Sequence, residues 1–287
     1  IDTLQAGLDM TGEVSPEQAE KILAMLTEGK SMDNVNTTLA LRLIPLAEEI
    51  GRAELVERLL EHAHKVAEDD IERAWVDFEK YKLSNYEPEK FAELSARTEL
   101  LNNGKHLSAA ILHHLGLIYL SQENYTDCET FINRSLRLRE ELEDESGLIY
   151  GLAVLEAACK RQDEHEQALA HGTRRLELLM KNEDLEGQME AMSDIAHTQA
   201  TVGAFDAATD LYNQSLELAN QLEDMSGQLV ARWGLCDICE IKGEYETAMI
   251  HLSDCLHSFI AMGLTAPLQV RERLEALTNL NNSSGQE

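Results

Sequence analysis

Shifted against itself by forty residues, the chain brings Leu115 onto Leu155, Ile195 and Leu235. The same shift aligns Tyr125, His165, Phe205 and Tyr245, then Cys128, Ala168, Ala208 and Ala248, then Leu136, Leu176, Leu216 and Leu256. One column is apolar, one mostly aromatic, one small and one always leucine, which marks a repeat. Within the third copy, Met192, Ile195, Ala196 and Gln199 form one stripe at spacings of three and four, and Phe205, Ala208, Leu211, Tyr212, Ser215 and Leu216 form a second. Such spacing predicts two helices. The break between them falls at Gly203-Ala204, with Gly243-Glu244 and Asp163-Glu164 at equivalent places; a glycine there can take the left-handed conformation that ends a helix. A helical hairpin with one apolar face cannot bury that face alone, so neighbouring copies must stack.

The joints between copies are as regular. EDESG, EDLEG and EDMSG begin at Glu143, Glu183 and Glu223. Asp144, Asp184 and Asp224 stand where one helix hands over to the next, so each carboxylate can cap free N–H groups and meet the positive end of a helix dipole. Gly147, Gly187 and Gly227 follow in the first turn, where a missing side chain would let an adjoining helix come close.

The N-terminal third keeps the theme at altered spacing. Polar turns at Asp33-Asn34, Asp69-Asp70 and Asn103-Gly104 divide it into two degenerate hairpins, the first with Pro45 inside a helix, where its ring should kink it. Before them, SPEQAEKILAMLTEG opens with Ser15 as N-cap, Pro16 at the first helical position and Gln18 closing a capping box. After the last copy, 265–280 forms a solvating cap helix, and NNSSGQE reads as a frayed tail. No segment is rich enough in Gly, Ser or Pro to divide the array. The expectation is one solenoid over 1–287, with degenerate hairpins at 15–104, four clear repeats at 105–262 and the cap.

These columns resemble the tetratricopeptide repeat. The first clear copy carries Leu112, Leu115-Gly116 and Tyr119, then Cys128, Ile132 and Ser135 at the family's positions; the later copies fit more loosely. The forty-residue period is similar to the long-helix variety of kinesin light chains and Rap-type peptide receptors. The resemblance covers about 105–262. It implies an all-α, right-handed superhelical solenoid of antiparallel helix pairs that binds other proteins along a concave groove. Two family devices have no match here. The chaperone-tail clamp of Lys and Asn is replaced by His113, Leu117 and Val154, and the asparagine ladder after Leu-Gly reads Leu117, Ala157, His197 and Asp237.

Composition narrows the partner. With 24 Lys+Arg against 53 Asp+Glu the formal net charge is -29, a field that repels phosphate backbones and argues against direct nucleic-acid binding. It favours a basic protein segment, although an acidic surface also serves solubility alone. Five cysteines without disulfide-framework spacing point to a reducing, cytoplasmic setting. No signal peptide is visible, a start at Ile1 suggests an excised or processed piece, and the most apolar run, ILHHLGLIYL, is far short of a membrane span.

Catalytic chemistry finds little footing. Cys236 and Cys239 make a CxxC without a second pair, and both fall in packing columns, as do Cys128 and Cys255. His113-His114 and His197 lack a carboxylate or thiol at metal-site spacing, and no phosphate-loop, GxGxxG, GxSxG or HExxH motif occurs. No enzyme activity, cofactor or metal is expected. Projecting the columns onto the first helix of each pair gives the concave-face candidates His113, Tyr150, Arg161, Glu190, Asp194, His197, Trp233, Asp237 and Glu240. Trp233 is either an anchor for a partner or a residue packed between helices. The function expected is a scaffold or adaptor whose acidic C-terminal half receives a basic peptide or segment. The alternative is the sensor portion of a larger signalling or transcriptional regulator. Self-association through the ends of the array stays open.

Overall fold

A computed structural model describes residues 16–28, 32–83, 87–265 and 267–284. Among these residues are fourteen α-helices and no strand. They are α1 (Pro16–Thr27), α2 (Thr37–Glu49), α3 (Ala53–Val66), α4 (Asp70–Leu83), α5 (Pro88–Glu99), α6 (Lys105–Ser121), α7 (Tyr125–Glu141), α8 (Glu145–Arg161), α9 (His165–Lys181), α10 (Leu185–Thr201), α11 (Phe205–Gln221), α12 (Met225–Ile241), α13 (Tyr245–Ala261) and α14 (Leu268–Ser284). The expected cap at Ser15 lies outside the described residues. From α6 to α13 every helix is seventeen residues long and every helix start is twenty residues from the last.

The regularity has a backbone cause. Asn103, Glu123, Glu143, Asp163, Glu183, Gly203, Glu223, Gly243 and Gly263 all have φ between +54° and +83°. All but Asn103, which lies in the turn after α5, end a helix in the left-handed conformation. The following N–H then reaches back to the last turn, as from Asp144 to Arg139 O at 2.9 Å, Asp184 to Leu179 O at 3.0 Å and Asp224 to Ala219 O at 2.9 Å. The aspartates of the joints begin the next helix. Asp144 Oδ1 accepts from the Gly147 N–H at 2.9 Å, Asp184 Oδ1 from the Gly187 N–H at 2.9 Å, and Asp224 Oδ1 from the Ser226 N–H at 2.9 Å. A Cβ at Gly147 would fall on the Arg139 guanidinium, at Gly187 on the Leu179 side chain and at Gly227 on the Met189 sulfur. Each joint is therefore a left-handed stop, a capping carboxylate and a gap for a neighbouring side chain.

The chain forms two compact units, the first ending at Val154 and the second starting at Leu155, within α8. In the first unit Phe78 and Phe91 are fully buried and meet edge to face at 6.0 Å, with Trp75 and Leu107, Ile111 and Leu115 of α6 in the same core. A second buried contact ties α7 to its surroundings: Ser135 Oγ donates to Ala109 O at 2.7 Å, Arg139 Nε to Ser135 Oγ at 3.2 Å, and Arg139 Nη1 to Asp144 Oδ2 at 2.8 Å. In the second unit Ala196, Ala208, Tyr212, Leu235 and Ile238 form one core, and Cys236, Ala248, Leu252, Val270 and Leu277 form another.

Two expectations change. The helix after the last repeat runs to Ser284, so Asn281 to Ser284 extend it rather than fray. Once Val270 and Leu277 are anchored in the core, adding further turns needs only one hydrogen bond per residue fixed. His113 is buried, with 6% of its surface exposed. It belongs to α6, which buries Leu107 to His113 without a break, whereas Leu117 one turn further on is exposed. His113 is therefore removed from the groove candidates.

Candidate protein-interaction groove

In the second unit α10, α11 and α12 enclose a groove of about 670 Å³. Helix α10 contributes Met189, Glu190, Ser193, Asp194 and His197, and α12 contributes Leu229, Val230, Trp233 and Asp237. These positions recur at helical spacing and face one another because the helices between them keep the same register forty residues apart. Tyr212 of α11 is the floor. A Cβ at Gly234 would fall on the Tyr212 ring, so the glycine lets α12 pass directly over it. Burial, with Asp237 and Asp194 nearby, pushes the Tyr212 phenol up to about 12, which keeps it neutral. The Ser193 and Ser215 hydroxyls lie 2.8 Å apart, and Ser215 Oγ donates to Met189 O, fixing α11 to α10.

Five of the nine concave-face candidates, Glu190, Asp194, His197, Trp233 and Asp237, line this groove. Glu240 stands one turn beyond Asp237 on the same helix. Tyr150 is exposed in the first unit, and Arg161 ends α8 in an exposed position; neither lines the groove.

The groove's carboxylates are not bare. Asp194 Oδ1 accepts from Lys160 Nζ at 3.0 Å and Oδ2 from Arg175 Nη1 at 3.1 Å. Behind them, Arg175 Nη1 lies 3.2 Å from Glu156 Oε2, and Lys160 Nζ lies 2.7 Å from Glu156 Oε1. Burial raises the Glu156 carboxyl above the ordinary carboxylate range, against the pull of Lys160. The Glu190 carboxyl is also raised, chiefly by burial, with Arg175 opposing. At the other end Arg273 of α14 donates to Asp237 Oδ1 at 2.5 Å and to Glu240 Oε2 at 2.9 and 2.7 Å, and its guanidinium carbon sits 5.0 Å from the centre of the Trp233 ring.

Glu156, Arg175 and Arg273, which do not line the groove but are tied to its carboxylates directly or through one another, are the residues that column projection left out. Glu156 occupies the place of Gly116, Ala196 and Cys236, and Arg175 that of Ser135, Ser215 and Cys255. Charges in two otherwise small columns were the available signal. Arg273 continues the column of His113, Ala153, Ser193 and Trp233 by one further step of forty.

The thiols take no part in this chemistry. All five cysteines are buried thiols in no disulfide, and burial pushes Cys236 up to about 12 and Cys255 up to about 11. No helix among the described residues is long and apolar enough to cross a membrane.

Comparison with known proteins identifies the repeat. Residues 107–181 match the tetratricopeptide repeat model. That stretch carries tetratricopeptide repeats. The chain's repeats are of the long kind, forty residues each from α6 to α13. No curated protein matches the sequence. Among solved structures, the chain is similar to a signal transduction ATPase with numerous domains from Pyrococcus horikoshii that carries a tetratricopeptide repeat sensor (15% identity, TM-score 0.59, covering 93% of this chain and 39% of that one). It is also similar to the apo form of RapI (13% identity, TM-score 0.65, 92% and 75% covered) and to BtubC from P. vanneervenii (15% identity, TM-score 0.58, 87% and 94% covered). The chain thus spans about two fifths of the length of the archaeal protein. At these identities the likeness is one of fold: an all-α arrangement of tetratricopeptide helix pairs.

Proposed function

We propose that this protein is a recognition module that holds a basic segment of a partner protein in the groove of α10, α11 and α12. The observation that carries the reading is the convergence of Trp233, His197, Glu190, Asp194 and Asp237 on one groove. Tetratricopeptide stacks work through such extended faces. An indole supplies large contact area at low entropic cost, and the apolar Met189, Leu229 and Val230 beside it give a segment's aliphatic stems somewhere to lie. The formal net charge of -29 adds a long-range field that steers cationic partners towards the protein. Selection from a random peptide display library tests this. Peptides rich in Lys and Arg should be enriched, and Trp233→Ala should lose them. Enrichment of acidic or neutral peptides, or equal retention by Trp233→Ala, contradicts the reading.

A second reading, that the chain is the sensor portion of a larger regulator, draws support from the archaeal protein, which carries a tetratricopeptide repeat sensor and of which this chain spans 39%. Sequencing the reading frame on both sides of the segment tests it: a signalling or DNA-binding module there supports it, and flanking stop codons end it. Both readings use the same groove.

A further inference from the structure

The partner's cation meets a competitor inside the protein, and this inference rests on the groove reading above. Trp233, Asp237 and Glu240 surround the Arg273 guanidinium from α14: both carboxylates accept its N–H groups and the indole lies against it at 5.0 Å. This is how a carboxylate and aromatic site takes an arginine from another chain. Asp237 is also a wall of the groove, so the same carboxylate serves the internal arginine and faces the space a partner would enter.

The two ends of the groove differ in how firmly their cations are held. Arg175, which neutralises Asp194, is buried and is bonded as well to Glu156, itself only 2% exposed. Its helix lies within the stack. Arg273 stands on a helix held mainly by Val270 and Leu277, with Leu274 partly buried beside them. Helix α9, which carries Arg175, buries that side chain together with Ala168, Gly172 and Leu179, whereas Arg273 stays partly exposed on α14. An element with few buried apolar contacts opens locally at lower cost than one with many.

We propose that α14 is a latch: Arg273 fills the guanidinium site of Trp233, Asp237 and Glu240 until an arginine-bearing segment of the partner displaces it. Binding then frees Arg273 and loosens α14. The exchange replaces one guanidinium by another on the same oxygens, so affinity is set by the segment's remaining contacts with Met189, Asp194 and His197 in the groove. Removing the internal arginine removes the competitor.

Calorimetry with a synthetic arginine–glycine repeat peptide tests the latch on the whole chain, using wild type, Arg273→Gln and Arg271→Gln. Arg271 is exposed on the same helix, so its substitution changes the net charge equally and leaves the Trp233 site alone. Arg273→Gln should bind about tenfold more tightly than wild type, and Arg271→Gln should match wild type to within about twofold. Hydrogen exchange of the α14 amides in wild type supplies a readout independent of the variants: peptide should speed it. Affinity of Arg273→Gln no greater than that of Arg271→Gln, or α14 exchange unchanged or slowed by peptide, overturns the latch and leaves the groove reading intact. Absence of binding to all three chains overturns both.

Discussion

Glu156 and Arg175 stand in two columns that every other clear repeat fills with Gly, Ala, Ser or Cys, and they meet each other at 3.2 Å. Either charge alone would lose its most buried partner, leaving Glu156 to Lys160 or Arg175 to Asp194. Together, and with Lys160 and Asp194 completing the network, they tie two packing positions to the groove wall at Asp194.

That pairing predicts non-additive losses. Glu156→Ala leaves Arg175 with Asp194 and the more distant Glu190, and Arg175→Ser leaves Glu156 with Lys160. Each single variant should lose about 1–3 kcal/mol of stability in urea unfolding, the cost of a buried polar group deprived of a partner. The double variant, which copies the Ala196 and Ser215 pair of the next repeat, should lose less than the sum by about 1 kcal/mol or more. Additive losses would mean that the two charges stabilise the repeat independently.

The joint glycines should divide by what they face. A Cβ at Gly147 meets the guanidinium of Arg139, which is buried and tied to Ser135 and Asp144. Gly147→Ala should therefore cost about 1–3 kcal/mol as an overpacked contact. A Cβ at Gly227 meets Met189 Sδ, on an unbranched side chain that adapts. The helix-propensity gain of Gly→Ala, about 1 kcal/mol, offsets the crowding there. Gly227→Ala should be near neutral in thermal unfolding, and a loss equal to that of Gly147→Ala would refute the distinction.

Acid sensitivity should come from the first unit. Burial, then Arg139 and His114, pushes His113 down to about 3; burial and then Lys82 push His114 down to about 4, its ring set between Phe78 and Phe91. The unfolded chain protonates both near 6.5. Their contribution is complete above pH 6.5 and is lost as pH falls towards 4, by about 1.4 kcal/mol per pH unit for each histidine. Glu79, Glu156 and Glu190, raised by burial, act with the opposite sign: their contribution is present below 4.5 and lost as pH rises through their folded values. Unfolding free energies at pH 6.5 and 5 should fall less steeply in His113→Leu/His114→Leu than in wild type. Equal slopes would show that neither histidine is held neutral by the fold.

The helices and their spacing were legible because the repeat writes each buried position four times, so Leu115, Leu155, Ile195 and Leu235 reinforce one another. The caps were legible for the same reason. The left-handed stops at Glu143, Glu183 and Glu223 were not, since glutamate carries no sign of positive φ, whereas Gly203 and Gly243 do. In the site, Trp233, Asp194 and Asp237 followed from helical phase alone. The column placed His113 with them but could not show that α6 is buried at that turn, because burial there depends on neighbours outside the repeat. The cations Arg175 and Arg273 escaped for a different reason: a column records where a side chain starts, and a long side chain acts several ångströms away.

The claim that the groove recognises a basic segment is tested most directly by the affinity of the arginine–glycine peptide, measured at low and high salt for wild type and for Asp194→Lys/Asp237→Lys. Wild-type affinity should fall about tenfold or more as salt screens the carboxylates, and the charge-reversed chain should bind at least tenfold more weakly at low salt. Affinity that is flat with salt and equal in the two chains would contradict it.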